Sequence, residues 1–223
     1  MKWFWWILAI IIIGFGVWYF AGQQQVTTGP NTTATTTATT TATTTTTSAT
    51  DIIPGVPNQT YTNSRLSFSI QYPSTASSSQ VNFDGYLPLT QTPVVSFVLP
   101  RDMFQGTNLG EAGVYIGATT TPKAMQQCTQ PQKDLDEKAA TSTTIGGQQF
   151  AVFTSTGVGA GNIYDEKVYR TIQNGQCLEI AELLHSGNIG NYPPGSVKQF
   201  DRAQFSGILE SIVQTYQPIP TGY

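Results

Sequence analysis

Charge is scarce in this sequence: Asp, Glu, Lys and Arg make up 10% of its 223 residues, against roughly 25% in ordinary soluble domains. The formal net charge of -3 is spread along the chain, so no basic face is available to hold a nucleic-acid backbone, and nucleic-acid binding is excluded. Histidine occurs once, at His185, and cysteine twice, at Cys128 and Cys177, with no CxxC pair. That composition lacks the usual ligand sets of a structural metal. GxSxG, HExxH and P-loop motifs are all missing, so the corresponding hydrolase, metalloprotease and nucleotide chemistries have no recognisable seat. No catalytic, cofactor-binding or metal-binding residue is assigned.

Threonine, serine, glutamine and asparagine supply the polarity instead, which suits a surface outside the cytoplasm. In an oxidising exterior Cys128 and Cys177 can pair. Closing a loop of about fifty residues would stabilise the fold by about 4 kcal/mol in the chain-entropy model. Two buried thiols are the alternative.

The longest apolar run lies at the start. From Trp3 to Phe20 the chain reads WFWWILAIIIIGFGVWYF without a charge, a length that spans about 27 Å as a helix and matches a bilayer's hydrocarbon core. Trp3, Trp5 and Trp6 mark one end and Trp18 and Tyr19 the other, as expected of rings at the two interfaces. Lys2 precedes the run and the first acid after it is Asp51, so the positive-inside rule puts the N-terminus in the cytoplasm and all that follows outside. A cleaved signal peptide is the competing reading, but the exit VWYFAGQQQ offers no A-x-A-like site. Residues 1–22 are therefore expected to be a single-pass anchor in contact with membrane lipid.

Residues 23–59 contain the tract ATTTATTTATTTTTSAT. With almost no large apolar side chain, the tract cannot offset the entropy of ordering, and it is expected to be a disordered spacer. As a flexible coil it would reach about 35 Å root-mean-square. Asn31-Thr-Thr and Asn58-Gln-Thr fit the N-glycosylation pattern, a match that chance nearly guarantees in such a composition. Bare spacer and glycosylated stalk both remain open.

Residues 60–223 change texture and form one domain of roughly 160 residues, large enough to fold alone. Leu66, Phe68, Ile70 and Tyr72 alternate with Ser67, Ser69 and Gln71, the period of a half-buried strand. Val94–Leu99 and Val114–Thr119 read as further strands, and Thr143–Ile145, Gly146-Gly147 and Gln148–Thr154 as a hairpin. Asn174-Gly175 joins Asn162–Gln173 to Gln176–His185, and an Asn-Gly pair tolerates the positive φ angles of a type I′ turn. Near the end, Phe205, Ile208, Leu209, Ile212, Val213 and Tyr216 recur at helical spacing. Asp201 can cap this helix, Gln204 occupies the capping-box position, and Phe200 can staple to Phe205. A second helix is possible between Pro122 and Ala140, interrupted by Pro131. Strands in hairpins with helices at two places imply an α+β fold, an antiparallel β-sheet with packed helices.

Candidate chemistry is thin. His185 ends a strand, where Ser186 and Glu182 point to the opposite face, so a surface histidine is expected. An enzyme would need His185, Glu179 and a hydroxyl to converge in one pocket. Asp134, Asp136 and Glu137 could offer oxygens to a hard cation, but Lys133 and Lys138 flank them and a solvated helix face is the simpler expectation. Glu179 and Glu182 fall on opposite faces by parity, a poor arrangement for a glycosidase pair. Gly157-Val-Gly-Ala-Gly161 precedes no helix, so it makes no phosphate turn and is expected to be a mobile loop.

The order of FSIQYP, IGGQQF, NIYDEKVYRTIQNGQCLEI and VKQFDRAQFSGILESI resembles a PsbP-like domain, over about residues 60–217. The resemblance implies a PsbP-like α/β sandwich used for docking, and it carries over no functional residue. The chain departs from the photosynthetic members of that family in having an anchor and a threonine stalk in place of a transit peptide. The functional expectation is an extracytoplasmic binding or scaffolding module that holds a protein or glycan. An envelope hydrolase near His185 and a glycosylated structural surface protein are the alternatives.

Overall fold

The computed structural model describes residues 51–80, 86–138 and 141–220. The anchor Trp3–Phe20 and the threonine tract lie outside the described residues, and among those described no helix is long and apolar enough to cross a membrane.

The described chain is an α+β domain with two antiparallel sheets. Its strands are β1 (Asn58–Asn63), β2 (Phe68–Pro73), β3 (Ser77–Ser79), β4 (Pro93–Val98), β5 (Leu109–Thr119), β6 (Thr141–Ile145), β7 (Gln148–Gly159), β8 (Asn162–Gln173), β9 (Gln176–Gly187) and β10 (Gln217–Pro218). A seven-stranded sheet runs in the order β3-β4-β5-β9-β8-β7-β6, and a three-stranded one in the order β1-β2-β10. Two α-helices accompany them, α1 (Pro122–Gln127) and α2 (Arg202–Gln214).

Local chemistry explains most of these elements. The Asp201 carboxylate accepts the Gln204 amide at 3.0 Å and starts α2, while Phe200 and Phe205 lie 6.4 Å apart between ring centroids. The turns at Gly146-Gly147 and Asn174-Gly175 have positive φ at both residues, as type I′ hairpins require. The Gly157–Gly161 segment is not a loop. Residues 157–159 complete β7, and Ala160 and Gly161, with φ of 48° and 82°, form a third tight hairpin. Glycine is an unusual strand residue, which is why the sequence read as a break.

The stretch assigned to the stalk is ordered at its end. Ile53 bridges Val56, Ile52 and Ile53 pack on the core, and β1 starts at Asn58. The isoleucines explain this, because they provide apolar area that the threonine tract lacks.

One face of the large sheet carries the main core. Ala112, Val114 and Ile116 of β5, Ile180 and Leu184 of β9 and Phe150 of β7 pack with Phe68 and Ile70 of β2 and with Phe205, Leu209, Ile212 and Val213 of α2. The opposite face carries a smaller cluster built from Leu87, Tyr115, Val168, Ala181 and Leu183. On that face the chain also brings residues 86–91 and the segment from α1 to Glu137 against the sheet.

Candidate functional site

The second face is held by a covalent bond and an ionic cluster. Cys128 and Cys177 form a disulfide with Cα atoms 5.7 Å apart, fastening the end of α1 to the start of β9. Two residues along the same face of β9, the fully buried Glu179 accepts the Arg170 Nε proton at 2.8 Å. The other side of the Arg170 guanidinium makes two bonds to Glu137, at 2.9 and 2.5 Å, a bidentate pairing. The free oxygen of Glu179 accepts the Thr90 amide and hydroxyl at 2.8 and 2.9 Å, and Glu137 also accepts the Gln132 amide at 2.6 Å. Burial opposes the Arg170 charge, but the hydrogen bond to Glu137 and the charges of Glu179 and Glu137 outweigh it and raise its pKa. The cluster ties two loops to β8 and β9.

Glu137 is therefore no member of a solvated helix face. Residues 133–135 form one 3-10 turn, Asp134 and Asp136 stay exposed, and Glu137 turns inward to Arg170. Among the described residues no group of three or more His, Cys, Asp or Glu is placed to hold a metal ion.

The first face holds a polar chain beneath α2. The Tyr169 hydroxyl lies 2.8 Å from Glu182 and 2.7 Å from Glu210, and Lys167 pairs with Glu210. A phenol has one proton to donate, so it cannot satisfy two carboxylates. The proton balance closes when Glu182 is a neutral acid donating to Tyr169, which donates to Glu210. Burial is the main cause, pushing Glu182 up to about 8, with the Lys167 charge working against it. Glu210 goes the other way: burial alone would raise it, but bonds from Lys167, Tyr169 and Gln214 hold it below the ordinary value. Beside this chain a cleft of about 290 Å³ opens between α2 and the sheet, lined by Lys167, Glu182, Glu210, Ser206 and the Arg202–Asp165 ion pair.

His185 stands apart from both arrangements. Its ring stacks on Tyr164 at 4.4 Å and 11°, and Nε2 lies 3.1 Å from the Asn162 side-chain oxygen. Glu179 lies on the same face of β9 but six residues away, about 20 Å along a strand, and is bonded to Arg170. The structure does not bring His185 and Glu179 together. Tyr164 does line a wider cleft of about 550 Å³ with Tyr86, Leu135, Asp134, Asp136 and Glu166. Burial raises the Glu166 pKa, with a bond from Ser155 working against it.

Sequence reasoning missed Arg170, Glu137 and Tyr169 as structural centres. The available signal was a lone arginine in the otherwise uncharged Val168–Gln173 stretch, because a charge on an inward strand position demands partners.

No family model matches the chain, and no curated protein gives a significant match. Solved structures do. A crystal structure from Bacteroides thetaiotaomicron VPI-5482 is similar at a TM-score of 0.42 and 15% identity, over 74% of this chain and 50% of that one, so this chain spans about half its length. The solution structure of cyanobacterial PsbP from Synechocystis sp. PCC 6803 is similar at a TM-score of 0.42 and 10% identity, over 73% and 93%. LpqN, described as involved in cell envelope biogenesis of Mycobacterium tuberculosis, is similar at a TM-score of 0.39 and 9% identity, over 75% and 88%. The second match falls in the family that the sequence resembles.

Proposed function

We propose that the protein is a membrane-anchored extracytoplasmic module that binds or scaffolds an envelope protein or glycan, on a PsbP-like α/β sandwich tethered by Trp3–Phe20 and the threonine stalk. The Cys128–Cys177 disulfide supports the extracytoplasmic part, since such bonds persist in oxidising compartments. The observation that carries the binding reading is the use made of the polar groups. Arg170 is held between Glu137 and Glu179, Tyr169 links Glu182 to Glu210, and His185 is occupied by Asn162 and Tyr164. Each of these groups is spent on holding elements in place.

Affinity capture with the full chain in detergent, against envelope extracts, tests this. Reproducible enrichment of one component, retained by His185→Ala, is the expected result. A hydrolytic activity on envelope substrates that His185→Ala abolishes would overturn it. The anchor is tested separately: the protein should stay with membranes after carbonate washing, and its release would remove the tether from the model of function.

A further inference from the structure

Strand β7 outruns its outer neighbour. β6 pairs with it only from Gln148 to Val152, and the Lys138 amide adds one bond to the Thr154 carbonyl at 3.0 Å. Beyond that point β7 continues to Gly159, paired with β8 on its inner side alone. Alternate residues of an antiparallel strand direct their N–H and C=O to opposite neighbours. Gln148, Phe150, Val152 and Thr154 face outward in that alternation, so the main-chain groups of Thr156 and Val158 do too. Among the described residues they meet no partner. Both residues are exposed, Val158 by 78%.

Natural sheet edges are blunted by lysine, proline, a bulge or a covering loop. The stretch Thr154-Ser-Thr-Gly-Val-Gly159 carries none of the sequence devices, and no Cβ would meet anything within 4 Å at Gly159. From Thr156 to Val158 the open edge is about 7 Å long. On the face away from α2 it borders the 550 Å³ cleft, whose lining includes Asp134, Asp136 and Glu166 and no lysine or arginine. On the other face Lys167 and Arg202 are already neutralised by Glu210 and Asp165.

We propose that the outer edge of β7 at Thr156 and Val158 docks an extended basic segment of a partner protein, which joins the sheet as a further strand and places every second side chain, Lys or Arg, over the acidic cleft. This rests on the reading of the protein as a binding module and names the chemistry of its partner. Strand addition draws affinity from main-chain bonds and specificity from alternate side chains. The charge on one side of the edge therefore dictates a basic-neutral alternation. A second copy of this chain is a poorer occupant, because a twofold edge-to-edge pairing would set two acidic clefts side by side.

Random decapeptides displayed against the full chain in detergent micelles test the proposal. Enrichment of sequences with Lys or Arg at alternate positions is expected. A synthetic peptide of that pattern should bind Val158→Pro about tenfold more weakly, because one outward amide is lost while the bonds to β8 remain. Val158→Thr keeps the amide and should bind as the parent does, and an unchanged disulfide and melting temperature show that both variants fold. Asp134→Asn with Asp136→Asn should weaken binding about threefold, with a steep salt dependence. Failure to enrich, enrichment without the basic alternation, equal binding by Val158→Pro, or dimerisation that Val158→Pro abolishes would each overturn it. If Val158→Pro captures the same envelope component as the parent, the edge is wrong and the binding module stands. If no component is captured by either protein, the broader reading fails as well.

Discussion

Tyr169 and Glu182 sit on adjacent antiparallel strands with the phenol oxygen 2.8 Å from the carboxyl, and the strand register puts Lys167 directly opposite that same glutamate. Glu210 from α2 closes the group. The arrangement keeps Glu182 neutral up to about pH 8 in the folded state, whereas an unfolded glutamate titrates near 4.5. Below the unfolded value both states hold the proton and the arrangement is at full strength. As the pH rises the unfolded chain gives up its proton first, so stability falls between about pH 4.5 and about pH 8.

We expect that loss to be on the order of 3–5 kcal/mol for this largely buried group. Glu182→Gln removes the titrating proton and should flatten the profile, making the variant the more stable protein at pH 8.5. Thermal melting at pH 5 and pH 8.5 checks this, and parallel profiles for the two proteins would show that Glu182 does not titrate in this window.

Arg170 stands between two buried carboxylates. Replacing it with methionine leaves Glu137 and Glu179 without their cation and should cost about 3–5 kcal/mol. Adding Glu137→Leu and Glu179→Met to that variant should recover much of the loss, because the uncompensated charges go with it. Urea unfolding of the single and triple variants measures both effects. A triple variant no more stable than the single one would mean that Thr90 and Gln132 matter more than the charges.

Cys128→Ala with Cys177→Ala opens a loop whose ends are 49 residues apart, and should cost about 4 kcal/mol in the chain-entropy model. Glu137 to Arg170 fastens the same segment to the same sheet, so the two losses should not add. A double-mutant cycle with Arg170→Met, read by denaturant midpoints, is expected to give a coupling energy different from zero. Strict additivity would mean that the loop is held by other contacts.

At Gly117 the second face leaves no room. A Cβ there would come within 2.6 Å of the Leu87 side chain and 2.9 Å of the Thr92 carbonyl. Gly117→Ala should push the 87–92 segment outward, loosen the Thr90 bonds to Glu179, and cost about 1–3 kcal/mol. Amide exchange at Thr90 should speed up alongside the drop in melting temperature, and unchanged protection would contradict the close packing.

Hairpins and caps are legible in the sequence, because they depend on residues next to one another. Asn174-Gly175 dictates its own turn through the φ angles those residues tolerate, and Asp201 meets the Gln204 amide three residues on. The same local logic failed at Gly157–Gly161. There the conformation was set by the neighbouring β8 strand, whose pairing outweighs the poor strand preference of glycine. The site residues are less legible, since the partners of Arg170 lie 9 and 33 positions away and no local pattern marks them.

From the sequence alone came the class of fold, the positions of the central strands and the final helix, and the possibility of a bond between Cys128 and Cys177. Tertiary structure decided that Glu137 turns inward to a residue 33 positions away, that Glu182 is buried beside Tyr169 and Glu210, and that β7 extends past its partner into an open edge. The division has one cause. Turns and caps are governed by short-range sterics and hydrogen bonds, whereas charge state and edge exposure depend on which distant segments the folded chain brings alongside.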